Sequence, residues 1–188
     1  MSHAIIAFDD VAAGRVPLAG DIPAIGVETI VRAACDADAD PIYHLVSGHL
    51  AEGRLLPRSR DEISSRISRF LVAVAGGRIA GCADLAPLSR RVAEVRSLVV
   101  DDGARSCGIG RRLVRALEER ALAKGFETLT AFTHTPGYFV QLGFSIVPHM
   151  WIPEKIETDC RTCPQFRSCG QYAVMLPLIR TQDSRVPA

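Results

Sequence analysis

The stretch EVRSLVVDDGARSCGIGRRL, residues 94–113, decides how the chain folds. It begins as a run of β-formers, passes through an acidic, glycine-bearing loop and enters the clearest helical pattern in the sequence. Glycines in Arg105-Ser-Cys-Gly108-Ile-Gly110 let backbone come close to a ligand. The free amides and positive dipole end of the following helix suit an anion such as a pyrophosphate, and Arg111 and Arg112 add charge beside it. A dinucleotide turn would need glycine three positions beyond Gly110, where Leu113 stands, and a nucleoside-triphosphate loop would need Gly-Lys-Ser/Thr. A tight strand-to-helix turn with no ligand is the alternative that two glycines alone leave open.

Working outward, GIGRRLVRALEERALAKG (108–125) reads as one helix, with Leu113, Leu117 and Leu122 inward and Gly125 as its C-cap. Upstream, Gly76-Gly77 joins FLVAVA (70–75) to RIAGCADLAP (78–87) as a hairpin. Ser59-Arg-Asp-Glu62 is a capping box after the break at Leu55-Leu56-Pro57-Arg58. Residues 36–53 carry helical spacing, and VETIVRA (27–33) alternates as a strand. Downstream come strand ETLTAF (127–132), a short helix near 137–142, and strands FSIVP (144–148) and AVMLPLI (173–179). The pattern is α+β with one sheet. It divides into a weakly structured extension (1–25), one domain (26–180) with a cysteine-containing insertion (149–171), and a tail (181–188).

Twenty-two basic and 21 acidic residues give a net charge of +1, which offers no bulk attraction to nucleic acid or an anionic membrane. The N-terminus lacks a basic n-region and a long apolar run, so no signal peptide is expected, and no stretch reaches the ~18 apolar residues of a membrane span. A cytoplasmic protein with reduced thiols and a small-molecule substrate is the resulting expectation; a homodimer stays open.

The R-x-x-G-x-G pattern at 105–110, set between strand and helix, resembles the signature of the GNAT acetyltransferase superfamily. The glycine hairpin, the strand EVRSLVV and Tyr138-Phe-Val-Gln-Leu-Gly143-Phe144 extend the likeness over roughly residues 27–179. The resemblance implies a GNAT-type single mixed, mostly antiparallel sheet flanked by helices, with acetyl-CoA as co-substrate. It places Arg105, Ser106, Gly108, Ile109, Gly110 and Arg111 on the pyrophosphate. Backbone groups of Leu98, Val99 and Val100 would pair with the pantetheine arm like an added strand. Ser106 stands where the family usually has glycine. Three stretches, LLPRS (55–59), EVRSLVV (94–100) and PEKIETDCRTCPQFRSC (153–169), further resemble short-form N-acetylglutamate synthases. That likeness implies acetylation of the α-amine of glutamate, the entry step of arginine biosynthesis. Another amino acid, a small polyamine or a protein amine is the alternative acceptor, and a non-catalytic metal- or redox-responsive protein is a reading from a different class.

An α-ammonium must lose a proton before it attacks a thioester, so a base is useful. Strict alternation puts Glu94, Arg96, Leu98 and Val100 on one face of the strand and Val95, Ser97 and Val99 on the other. Glu94 occupies the strand position where the superfamily often keeps its base; a structural ion pair with Arg96 is the plainer reading. Arg58 and Arg96 are candidates for holding acceptor carboxylates, and a strand N–H near Leu98 for the oxyanion. Phe139 stands where many relatives place the general acid, leaving Tyr138, one position away, or solvent to protonate the thiolate. His134 lies near where longer synthases place a substrate-binding arginine, or is a loop histidine.

Cys160, Cys163 and Cys169 form C-x2-C-x5-C. A closed zinc site wants four ligands, and the nearest fourth is His149 or Asp159, neither at a recognised spacing. Reduced cysteines packing an irregular connection are the preferred reading over a bound metal.

Overall fold

A computed structural model of the chain describes residues 28–50, 57–163 and 165–178. The expected extension at 1–25, the break at Leu55-Leu56 and the 181–188 tail lie outside the described residues. Among the described residues seven strands form one sheet in the order β1-β2-β3-β4-β5-β7-β6. They are β1 (Thr29–Ala33), β2 (Phe70–Ala75), β3 (Arg78–Pro87), β4 (Val92–Val100), β5 (Thr128–Thr133), β6 (Ser145–Val147) and β7 (Tyr172–Pro177). Only the β4–β5 pairing is parallel, so the sheet is mixed and mostly antiparallel, as expected. The helices that flank it among the described residues are α1 (Ala39–Gly48), α2 (Arg60–Ser65), α3 (Ile109–Ala123), α4 (Pro136–Val140) and α5 (Pro153–Thr158).

The helix ends follow their sequence signals. Ser59 caps α2 by accepting from the Glu62 amide at 3.1 Å. Beyond α3, Gly125 sits at φ +86°, and the Phe126 and Gly125 amides donate to Ala121 and Leu122 carbonyls at 3.0 Å each. That is a Schellman stop, which needs a residue tolerant of the left-handed region. Helix α3 buries Leu113, Val114, Leu117 and Ala121 completely, while Leu122 only packs at the margin. Its close approach to the sheet requires a glycine at Gly81, where a Cβ would stand 3.1 Å from both Ile109 Cγ2 and the Val99 carbonyl oxygen.

Among the described residues two larger hydrophobic clusters lie on opposite faces, and a smaller third gathers Phe132, Val147, Ile152 and Ala173. Helices α3 and α4 cover Leu71, Ala83, Val95, Leu98, Val100 and Leu129. Helices α1 and α2 cover Phe70, Val72, Cys82 and Val99 on the other face. This division corrects the strict alternation expected for β4. Asp84 pairs with Arg96 and Cys82 with Val99, so Ser97 and Leu98 together oppose Ala83. Ser97 takes φ +48°, making a bulge that turns Leu98 away from the face of Glu94 and Arg96. Pairing of β4 with β5 covers Val92, Ala93 and Glu94, opposite Thr128, Leu129 and Thr130, and stops there. Glu94 is thus the last β4 residue that β5 covers, and Leu98–Val100 have no β5 partner beside them, a notch in the pairing whose apex is Glu94.

The Gly81 contact generates a paired prediction. Gly81→Ala should cost about 1–3 kcal/mol, because one of the three short contacts, which include Leu113 Cδ1 at 3.2 Å, is to fixed backbone. Gly48→Ala, at a helical position with nothing within 4 Å of the added Cβ, should stabilise by about 0.5–1 kcal/mol. Thermal melts giving Tm shifts of opposite sign confirm this packing; equal shifts contradict it.

Candidate active site

The bulge gathers charged side chains on the α1/α2 face of β4. Glu94 is fully buried. Lys155 Nζ, from α5, donates to its two carboxylate oxygens at 2.8 and 2.9 Å, and Arg96 Nε donates to Oε2 at 2.6 Å. Asp159, just past the end of α5, accepts from Lys155 Nζ at 2.9 Å and from the Arg96 guanidinium. Two carboxylates and two cations thus close a ring in the interior. Burial alone would raise the Asp159 carboxyl, but Lys155 and Arg96 outweigh it and hold it below the usual carboxylate range. For Arg96, burial opposes the charge, and the Glu94 and Asp159 carboxylates more than restore it.

A second layer lies beside the ring. Asp84, completely buried next to Arg96 on β3, takes a two-point contact from Arg69 Nε and Nη2 at 2.9 and 2.8 Å. Burial pushes its carboxyl up against the opposing pull of Arg69. Arg58 is buried too, donating from Nε to Ser97 Oγ at 2.9 Å and from Nη1 to Glu62 Oε1 at 2.7 Å. Burial lowers its pKa, with Asp84 and Glu62 resisting. The Ser59 cap fixes the start of α2 and thereby sets Glu62 one turn from Arg58. Beneath the bulge, the Cys82 thiol donates to the Ser97 carbonyl at 3.5 Å, and burial pushes it up to about 12.

At the far end of the notch, β4 runs into the 105–110 loop. Ser106 and Gly108 take φ +62° and +76°, and Gly108 caps α3 without any side-chain hydrogen bond. The first-turn amides therefore carry the helix dipole's positive end into a cavity of about 300 Å³ between Val100, this loop, Tyr138 and Gln141. The guanidinium of Arg105 is held by Asp102 at 2.8 Å and the Val100 carbonyl at 3.4 Å; Arg111 is exposed. The structure thus brings all the residues of the expected coenzyme loop to one cavity with Tyr138. Burial raises the Tyr138 phenol well above its ordinary value, with Arg111 opposing. Phe139 is core, packed edge-on against Phe144 at 5.0 Å.

His134 is exposed at the end of β5, against Gly170, and is not joined to the Glu94 ring. The 149–171 segment is more ordered than a featureless insertion: it forms α5 and three short 3-10 turns. Cys160, Cys163 and Cys169 line a second cavity of about 330 Å³ with Phe132, His149 and Lys155. Among the described residues no cluster of His, Cys, Asp or Glu is arranged to hold a metal ion, and no helix is long and apolar enough to cross a membrane. Sequence reasoning passed over Lys155, Asp84 and Arg69. A signal for Lys155 was present: it is one of two lysines beside twenty arginines, four residues before Asp159.

Comparison with known proteins agrees with this geometry. The acetyltransferase (GNAT) family profile matches residues 39–144. An uncharacterized N-acetyltransferase of Chlorobaculum tepidum is 34% identical over 151 residues, covering 80% of this chain and 97% of that protein. An amino-acid acetyltransferase of Ralstonia nicotianae is 34% identical over 116 residues, 61% of this chain, and the chain spans only 26% of that relative. Among solved structures, N-acetylglutamate synthase from Neisseria gonorrhoeae, complexed with coenzyme A and N-acetyl-glutamate, superposes with TM-score 0.74 at 26% identity. It covers 81% of this chain and 36% of its own. The Mycobacterium tuberculosis protein Rv2747, solved with CoA, shares the fold with TM-score 0.71 at 22% identity, over 80% of this chain and 99% of its own. With a family profile over more than half its length and a full-length relative at this identity, the chain belongs to the GNAT acetyltransferases.

Proposed function

We propose that this acetyltransferase moves the acetyl group of acetyl-CoA onto the α-amine of a small carboxylate-bearing amino acid, L-glutamate first, in the cytoplasm. The observation that carries the proposal is the notch between β4 and β5, which joins an anion-binding helix start at one end to a buried base at its apex. The 105–111 loop amides and Arg105 hold the pyrophosphate. The edge of Leu98–Val100 that β5 leaves uncovered pairs with the pantetheine arm. A strand N–H at the bulge then faces the thioester oxygen as it gains charge. The likeness to amino-acid acetyltransferases and to a synthase solved with N-acetyl-glutamate supports the choice of acceptor.

Within this reading the residues take distinct roles. Glu94 receives the ammonium proton, through a relay, because both its oxygens already hold N–H donors. Arg96 is engaged by Glu94 and Asp159, which makes it a positioning residue; Arg58, at the mouth of the bulge, holds an acceptor carboxylate. The raised Tyr138 phenol is a weaker acid than a coenzyme thiol, so solvent returns the proton to the leaving thiolate. His134, exposed at the end of β5, is the candidate for a second acceptor carboxylate.

Purified protein with acetyl-CoA and a panel of glutamate, aspartate, glutamine, a polyamine and a peptide amine, read by thiol release, tests the acceptor. Preference for glutamate supports the proposal; turnover confined to the polyamine or peptide overturns it. Glu94→Gln should lower kcat by roughly 100- to 10,000-fold with coenzyme binding kept. Arg58→Ala should raise KM for the amino acid by about ten- to a hundredfold. The ring also sets an acid limit. A depressed Asp159 pKa contributes stability that is complete above the unfolded value near 4 and is lost as pH falls through the folded value. Asp159→Asn should therefore flatten the fall in denaturation midpoint below pH ~4, and an unchanged acid limb would show that the ring does not hold that charge.

A further inference from the structure

Lys155 is the feature that the proposed reaction leaves unused. Its Nζ is a primary amine 2.8 and 2.9 Å from the two oxygens of Glu94, the group assigned to deprotonate an acceptor amine. The side chain is 1% exposed, lies over the Phe132 ring with Nζ 5.0 Å from its centroid, and runs along the wall of the cysteine-lined cavity. Its head meets Glu94 at the last β4 residue paired with β5, the apex toward which a thioester drawn down the notch would travel. The choice of residue matters. The chain meets its need for positive charge with arginine twenty times and lysine twice. Arginine would serve two carboxylates with more donors and is never deprotonated in proteins, whereas lysine alone offers a nucleophilic nitrogen.

We infer that Lys155 is a self-acetylation site: when no acceptor is present, Nζ takes the acetyl group from acetyl-CoA at the enzyme's own centre. This inference rests on the acetyl-CoA reading of the notch. One Nζ proton passes to Glu94 and the freed lone pair attacks the thioester carbonyl. The C–S bond then breaks and coenzyme A leaves as thiolate; Glu94 gives its proton up through solvent, which protonates the thiolate, and the second proton lost from nitrogen passes to solvent. The product is a neutral amide, which cannot serve two carboxylates as the ammonium does. Asp159 and Glu94 are then left to Arg96, and turnover of an acceptor by the modified protein falls. Acceptor and Lys155 compete for one acetyl group, so the mark records acetyl-CoA supplied without acceptor.

The chain carries its own control, since Lys124 at the end of α3 is exposed and reports non-enzymatic acetylation. The full chain is incubated with saturating acetyl-CoA and no acceptor, and peptides bearing Lys155 and Lys124 are followed by mass. Lys155 should gain one acetyl group at least roughly a hundredfold faster than Lys124, the lower range of general-base assistance. Excess acceptor should suppress the gain. Lys155→Arg, which keeps the charge, should leave only the slow label on Lys124. A Lys155 that stays unmodified, or labels no faster than Lys124, overturns the inference. Thiol release with the amine panel, run in parallel, separates the two readings. Turnover of an amino acid without Lys155 labelling sinks the inference alone, and labelling without amino-acid turnover sinks only the acceptor assignment.

Discussion

The site depends on one constraint: β4 stops pairing with β5 at Glu94 and Thr130. A parallel pair continued along β4 would satisfy its backbone and close the sheet. Beyond that point the Leu98–Val100 edge has no β5 strand beside it. Its backbone N–H and C=O groups need other partners, one of which the Val100 carbonyl finds in Arg105. An extended amide-bearing chain meets that requirement as an added strand would. The helix dipole of α3 fixes the other end of such a ligand, because the strand feeds directly into the loop that opens the helix. Gly81 lets α3 lie close enough to the sheet to keep that loop in line with the notch.

The second organising feature is the buried ring of Glu94, Arg96, Lys155 and Asp159. Taking four charges out of water is costly, and removing a single partner from such a group typically costs about 3–5 kcal/mol. A simple apolar core would be cheaper at this place. Retaining the ring makes physical sense if a base must be held rigidly at the apex with its surroundings compensated, and two cations against two carboxylates achieve that without net charge. The ring also ties β4 to α5, so the cysteine-bearing segment is anchored to the strand that bears the proposed base.

Much of this was legible in the sequence, for reasons that can be named. The 94–113 stretch carries its strand, loop and helix signals within twenty residues, and caps such as Ser59 and Gly125 act locally. What escaped reading was non-local or broke a local rule. Ser97 takes a left-handed conformation without being glycine, so nothing in its identity announces the bulge that reverses the alternation after Arg96. Lys155 reaches Glu94, and Asp159 reaches Arg96, across about sixty residues, and their partners follow from the fold rather than from spacing. The cysteines drew attention because C-x2-C-x5-C resembles a metal pattern, yet they line a cavity beside the ring, and the residue there that touches Glu94 is a lysine.

In the proposed complex the coenzyme arm lies along β4, and amide hydrogen exchange addresses this directly. Adding coenzyme A should increase protection in residues 98–110, where the strand edge and the helix start meet the ligand, and leave β2 unchanged. Coenzyme A that binds without protecting 98–110, or that protects another edge of the sheet instead, would contradict the account.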